Sequence, residues 1–132
     1  MADFVIDTVA LIKHLEDDLP PAAARAFKDA EEGRGHLYLP EIAMGEFIYT
    51  ALRGKTRVSN PVVIVREIIG LLHAASYLSV SSIAPEGWDI FVGLKVRELH
   101  DRMIASEALV RKLPLVSNDP AFEDMAGLKT IW

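Results

Sequence analysis

Apolar positions along the chain fall into two alternating patterns. Short apolar runs such as Phe4-Val5-Ile6 and Leu115-Val116 are separated by longer stretches in which apolar residues recur every three or four positions. Uninterrupted runs predict strands buried on both faces, and the longer spacing predicts helices with one apolar stripe. Phe4 to Ile6 is accordingly a strand, and Val9, Leu11, Ile12 and Leu15 follow it at helical spacing. Pro20-Pro21 opens a helix over 22–32 that Gly33 and Gly35 stop, and 36–39 is a short strand ended by Pro40.

The alternation continues with a helix over 41–52, closed by Gly54, and another over 61–75, followed by a β-leaning segment over 77–83. Pro85-Glu86 begins a further helix that runs on or breaks near His100, with 101–112 helical in either case. A strand over 115–117, a helical turn over 120–125 and a last strand over 129–132 complete the chain. Strands alternating with helices predict an α/β domain: a central, mostly parallel sheet of four or five strands flanked by helices, with 1–132 as a single unit. Residues 54–60 are the expected loop.

Composition narrows the chemistry. With 132 residues and 51% apolar content the chain can bury one core. The absence of cysteine excludes a disulfide scaffold, a thiolate zinc site and a cysteine nucleophile, so any metal must be held by oxygen or imidazole. Asp3, Asp7 and Lys13 interrupt any apolar leader, and the longest uncharged stretch, 68–85, carries His73 and four serines. Neither a secretory leader nor a membrane span is expected, and the expected location is the cytoplasm.

The net charge of −5 is unevenly spread: residues 1–50 carry −6, residues 51–112 carry +3 and residues 113–132 carry −2. No acid lies between Glu46 and Glu67, whereas Arg53, Lys55, Arg57 and Arg66 all do, which predicts either a local phosphate-binding patch or a solvated helix end and loop.

Open sheets of this class bind ligands at the C-terminal ends of their strands. Asp7 follows the first strand and Asp119 follows the strand over 115–117, so their carboxylates converge on one sheet edge. Asp101 shares a helix face with Ile104, Ala105, Ala108 and Leu109 and therefore points at the sheet. Glu46 sits among Ile42, Ala43 and Tyr49, an acid on a mostly apolar face that is costly without a partner. Each aspartate also has an ordinary explanation as a helix cap or turn residue. Together the four acids predict a cage for a hard cation, Mg²⁺ or Mn²⁺. Of the four histidines, His100 is placed to orient such a site through a neighbour. Trp88, Phe91, Tyr77 and Trp132 read as core or interface.

Four stretches, Phe4-Val-Ile-Asp-Thr-Val-Ala-Leu-Ile12, Leu39-Pro-Glu-Ile-Ala-Met-Gly-Glu-Phe47, His100-Asp-Arg-Met-Ile-Ala-Ser-Glu-Ala-Leu109 and Leu115-Val-Ser-Asn-Asp-Pro-Ala-Phe122, resemble the PIN-domain ribonucleases, in particular the toxins of VapBC-type toxin–antitoxin pairs. The resemblance implies metal-binding catalytic acids at Asp7, Glu46, Asp101 and Asp119, and substrate-binding hydroxyls at their neighbours Thr8 and Ser117. It further implies an RNA substrate whose backbone Arg53, Lys55 and Arg57 contact, and an antitoxin as partner. The surplus of apolar faces on the segment 62–78 predicts a homodimer. Two other readings are a non-catalytic scaffold that binds RNA or protein, and a Mg²⁺-dependent phosphatase; for the latter Val9 stands where a second acid is needed.

Overall fold

Helices cover both faces of the sheet, which is why the strand runs are apolar without interruption: Val5, Ile6, Leu37, Leu39, Leu115 and Val116 are all fully buried. The computed structural model describes residues 2–54, 60–96 and 98–132. Its strands are β1 (Phe4–Ile6), β2 (Leu37–Pro40), β3 (Leu78–Ser81), β4 (Leu115–Val116) and β5 (Thr130–Ile131), in the order β3-β2-β1-β4-β5 with every neighbouring pair parallel. The sheet expected to be mostly parallel is wholly so. The expected strands over 77–83, 115–117 and 129–132 are each trimmed to two to four residues.

The helices are α1 (Thr8–Leu15), α2 (Pro21–Glu31), α3 (Glu41–Leu52), α4 (Pro61–Ala74), α5 (Pro85–Gly93) and α6 (Leu99–Arg111), with a 3-10 turn at Pro120–Phe122. Proline stands in the first turn of α2, α4 and α5, where its missing N–H goes unnoticed. The late helix starts at Leu99 rather than Asp101, and the break lies before His100, after α5 ends at Gly93.

Arg102 explains how the break is held. Its guanidinium donates to the carbonyls of Phe91 (2.6 Å), Val92 (3.1 Å) and Val96 (3.4 Å), satisfying acceptors that the end of α5 leaves free. Its plane also lies 4.8 Å from the Phe91 ring centre. Gly87 in α5 leaves room for the Ile83 side chain, with which a Cβ there would collide.

Away from the sheet centre, α6 buries a charge. Glu107 is 1% exposed; Ser81 donates its hydroxyl to Oε1, and Arg111 Nε stands 3.3 Å from the same oxygen while its guanidinium lies over the Tyr38 ring. Burial pushes the Glu107 carboxyl up, and Ser81 and Arg111 pull against that.

On α4 only Ile68 is buried, whereas Val62, Val63 and Ile69 are exposed. The apolar surplus read from the sequence therefore stands on the surface. Among the described residues no helix is long and apolar enough to cross a membrane.

Candidate functional site

The strand order reverses direction at β1: β2 lies on one side of it and β4 on the other. Such a switch point opens a crevice at the strand C-termini. Asp7 directly follows β1 and Asp119 lies just beyond β4, so both enter that crevice, a cleft of about 120 Å³. Its walls include Thr8 on α1, Glu46 on α3 and His100 and Asp101 on α6, above a floor of Ala43, Ile104 and Phe122. The four acids expected to meet do line one cleft.

Two of the three aspartates also do the structural work weighed against them. Asp7 caps α1, its Oδ1 accepting from the Ala10 N–H at 2.8 Å, and Asp119 caps the 3-10 turn by accepting from Ala121 at 2.9 Å. Asp101 is not a cap. Glu98 fills that role, its Oε2 accepting from the Asp101 N–H at 2.6 Å.

The two hydroxyls are engaged inside the protein. Thr8 Oγ1 donates to the Ala43 carbonyl at 2.9 Å, tying α1 to α3. Ser117 is 2% exposed, and its Oγ accepts from the Asp119 N–H at 3.1 Å. Thr8 lines the cleft with the acids, whereas Ser117 is buried behind them.

Glu46 differs from the expectation of a buried, costly acid. Its side chain is 49% exposed, because the buried stripe of α3 is Ala43, Met44, Phe47 and Ala51 and Glu46 falls at its rim. It has a partner as well: His100 Nδ1 lies 2.9 Å from Glu46 Oε2 and 2.6 Å from Glu98 Oε1. Arg53 is exposed at the end of α3, 5.3 Å from the Tyr49 ring centre, and Arg66 borders an apolar groove between α3 and α4. Lys55 and Arg57 lie outside the described residues.

Electrostatics mark the cleft. The Asp101 carboxyl is raised from 3.8 to about 6, by burial first and then by Asp119, Glu98 and Glu46, with His100 pulling the other way. Burial also raises Asp7, against the hydrogen bonds from Ser117 and Ala10. His100 is raised by its bond to Glu98, while Glu98 is lowered by the Asp101 N–H and His100 against its own burial. Among the described residues no lysine or arginine forms an ion pair with Asp7, Glu46, Glu98, Asp101 or Asp119. Crowded carboxylates without a cationic side chain suit a hard divalent cation, so the donor set fits the Mg²⁺ or Mn²⁺ expected from the sequence.

Glu98 had no assigned role in the sequence. Glutamate is not among the residues that usually cap helices, so no local pattern marks it as the cap of α6.

A family model of the PIN domain matches residues 4–128, from β1 to just before β5. No curated protein sequence matches the chain. Among solved structures, a chain of VapBC2 from Rickettsia felis, crystallised bound to a DNA fragment from its promoter, superimposes with a TM-score of 0.74 at 14% identity, over 98% of this chain and 97% of that one. A chain of VapBC-5 from Mycobacterium tuberculosis, of the VapBC family of toxin–antitoxin systems, superimposes with a TM-score of 0.60 at 18% identity, over 99% and 98% respectively. At these identities the likeness is one of fold.

Proposed function

The chain belongs to the PIN domain family, which its model matches over residues 4–128, and we propose that it is a divalent-metal-dependent endoribonuclease acting as the toxin of a toxin–antitoxin pair. The observation that carries this reading is the convergence of Asp7, Glu46, Asp101 and Asp119 on one switch-point cleft, with no lysine or arginine paired to them among the described residues.

In this reading Asp7, Glu46, Asp101 and Asp119 would hold Mg²⁺ or Mn²⁺, which when bound would supply positive charge at a phosphodiester and make water more acidic. The protein's part is positioning. Ser117 holds the Asp119 backbone, the Ala10 N–H holds the Asp7 carboxylate, Thr8 fixes α1 to α3, and the Glu98 cap fixes the first turn of α6 that carries Asp101. No side-chain nucleophile is needed. Arg53, Lys55 and Arg57 belong to the segment that contacts the RNA backbone, which orients the strand without reading its sequence.

The solved VapBC chains that share this fold come from toxin–antitoxin systems, which supports an antitoxin as this chain's partner. An arginine of that partner suits the cleft, because its fork matches carboxylates. The groove of about 510 Å³ between α3 and α4, bordered by Leu52, Val62 and Ile69, supports a homodimer built on this face, with the protein working in the cytoplasm.

The test is to incubate purified, partner-free protein with mixed RNAs in Mg²⁺, in Mn²⁺ and in chelator, beside Asp7→Asn. Cleavage that needs the ion and is lost in the variant is expected. Cleavage that survives chelation, or an equally active variant, overturns the reading.

A further inference from the structure

Beside Asp119 the same sheet edge carries a second cavity. Asn118, just past β4, and Trp132, directly after β5, line a pocket of about 360 Å³ together with Lys13, Asp18, Leu19 and Pro20. We propose that this pocket is a nucleobase subsite: an unpaired base of the RNA strand crossing the cleft stacks on Trp132, Asn118 meets its polar edge and Lys13 takes a neighbouring phosphate. The proposal rests on the reading that the cleft cuts RNA, and adds where the strand continues and which residues hold it.

The backbone ties this pocket to the cleft. Asn118 lines the one and Asp119 the other, and consecutive Cα atoms stand about 3.8 Å apart, so a phosphate at the acids leaves an adjoining nucleotide within reach of the pocket. The exits of β4 and β5 lie side by side, because Val116 pairs with Ile131 in register and the Ser117 N–H donates to the Ile131 carbonyl at 3.1 Å. Ser117 Oγ then accepts from the Asp119 N–H, which fixes the backbone on either side of Asn118. Trp132 packs in part against the core and lines the pocket with the rest of its surface, so its ring is anchored before any base arrives.

The side chains suit a base. An indole stacks on any nucleobase, because every base has a π-face. The Asn118 amide is exposed and carries both a donor and an acceptor for a base edge. Lys13 pairs with Asp18 at 3.3 Å, but the two side chains are 35% and 74% exposed, and so open an ion pair is worth little, which lets the ammonium turn to a phosphate. Asp18 at the rim repels an isolated phosphate, so the stacked ring and not the charge has to carry the affinity. A duplex keeps its bases stacked on one another, whereas an unpaired base has a face to offer Trp132.

The experiment uses fluorescence, since the chain has two tryptophans and Trp88→Phe leaves Trp132 as the sole emitter. That protein is titrated in chelator, where no strand is cut, with mixed single-stranded pentanucleotide RNAs and with an RNA duplex. The single strands should quench Trp132 and the duplex should not. In anisotropy titrations of a labelled strand, Trp132→Ala should weaken binding about tenfold. Asn118→Ala, at an exposed position that keeps the fold, should weaken it about threefold. In Mg²⁺ both variants should raise KM for cleavage and leave kcat unchanged. Should Trp132→Ala not fold, the quenching and Asn118→Ala decide. Absent quenching, quenching by the duplex as well, wild-type affinity in Asn118→Ala, or a lowered kcat at unchanged KM overturns the subsite, while metal-dependent cleavage by the wild type leaves the nuclease reading standing. A wild type that neither binds nor cuts RNA overturns both.

Discussion

Asp101→Asn should stabilise the metal-free protein at neutral pH, and the size of the gain follows from the cleft. The carboxyl is raised from 3.8 to about 6, first by burial and then by Asp119, Glu98 and Glu46. At face value that shift is a destabilisation of ~3 kcal/mol at pH 7. The side chain is only partly buried and solvent screens its neighbours, so about 1–2 kcal/mol is the expected effect. The folded state holds its proton more tightly than the unfolded state, so its stability is fullest below the unfolded pKa. It then falls as pH rises from about 4 to about 6 and is level above that. Asparagine has nothing to ionise, and Asp101's side chain caps nothing that asparagine would release. Thermal unfolding in chelator should therefore show the variant more stable at pH 7 by roughly 3–8 °C, with the advantage vanishing near pH 4. Saturating Mn²⁺ should reverse the order by stabilising the wild type more. A variant less stable than wild type in chelator at pH 7, or an advantage that does not shrink on acidification, would refute the electrostatic account of the cleft.

Other consequences are as concrete. Arg111→Met leaves the buried Glu107 without its cation and should lower the unfolding free energy by about 2–4 kcal/mol in urea titration, with Glu107→Leu in the same chain restoring part of the loss. Ile69→Asp, on the exposed apolar face of α4, should convert a dimer to a monomer by light scattering at micromolar concentration; an unchanged mass rejects that interface. Expression of the wild type alone should arrest growth, the product of a neighbouring reading frame should relieve the arrest by binding, and Asp101→Asn should be harmless without it.

Much of the framework was legible because its signals are local. The runs that became β1, β2 and β4 are apolar without interruption because helices cover both faces, and the helix 41–52 is bounded by Pro40 and Gly54, so its ends agree with α3. The meeting of Asp7 and Asp119 needed only the inference that parallel strands end at one edge. What escaped the sequence depends on how distant pieces pack. Glu46 reads as buried by its helical neighbours, but the inward stripe of α3 turns past it and leaves it at a solvent rim beside His100. Nothing in the sequence marks Glu107 as buried, yet α6 is covered by α5 on one side and the sheet on the other, so residues 104–108 are all buried. The break after Gly93 depends on Arg102 reaching back to three carbonyls of an earlier segment, a contact no periodicity reveals.

The central claim is that the switch-point cleft is a metal centre, and the most direct measurement is an anomalous difference map at the manganese edge from crystals of the wild-type protein soaked in Mn²⁺. The account predicts a peak inside the cleft, within ligand distance of carboxylates from Asp7, Glu46, Asp101 and Asp119. Peaks confined to other surfaces, or none at saturating Mn²⁺, would contradict it.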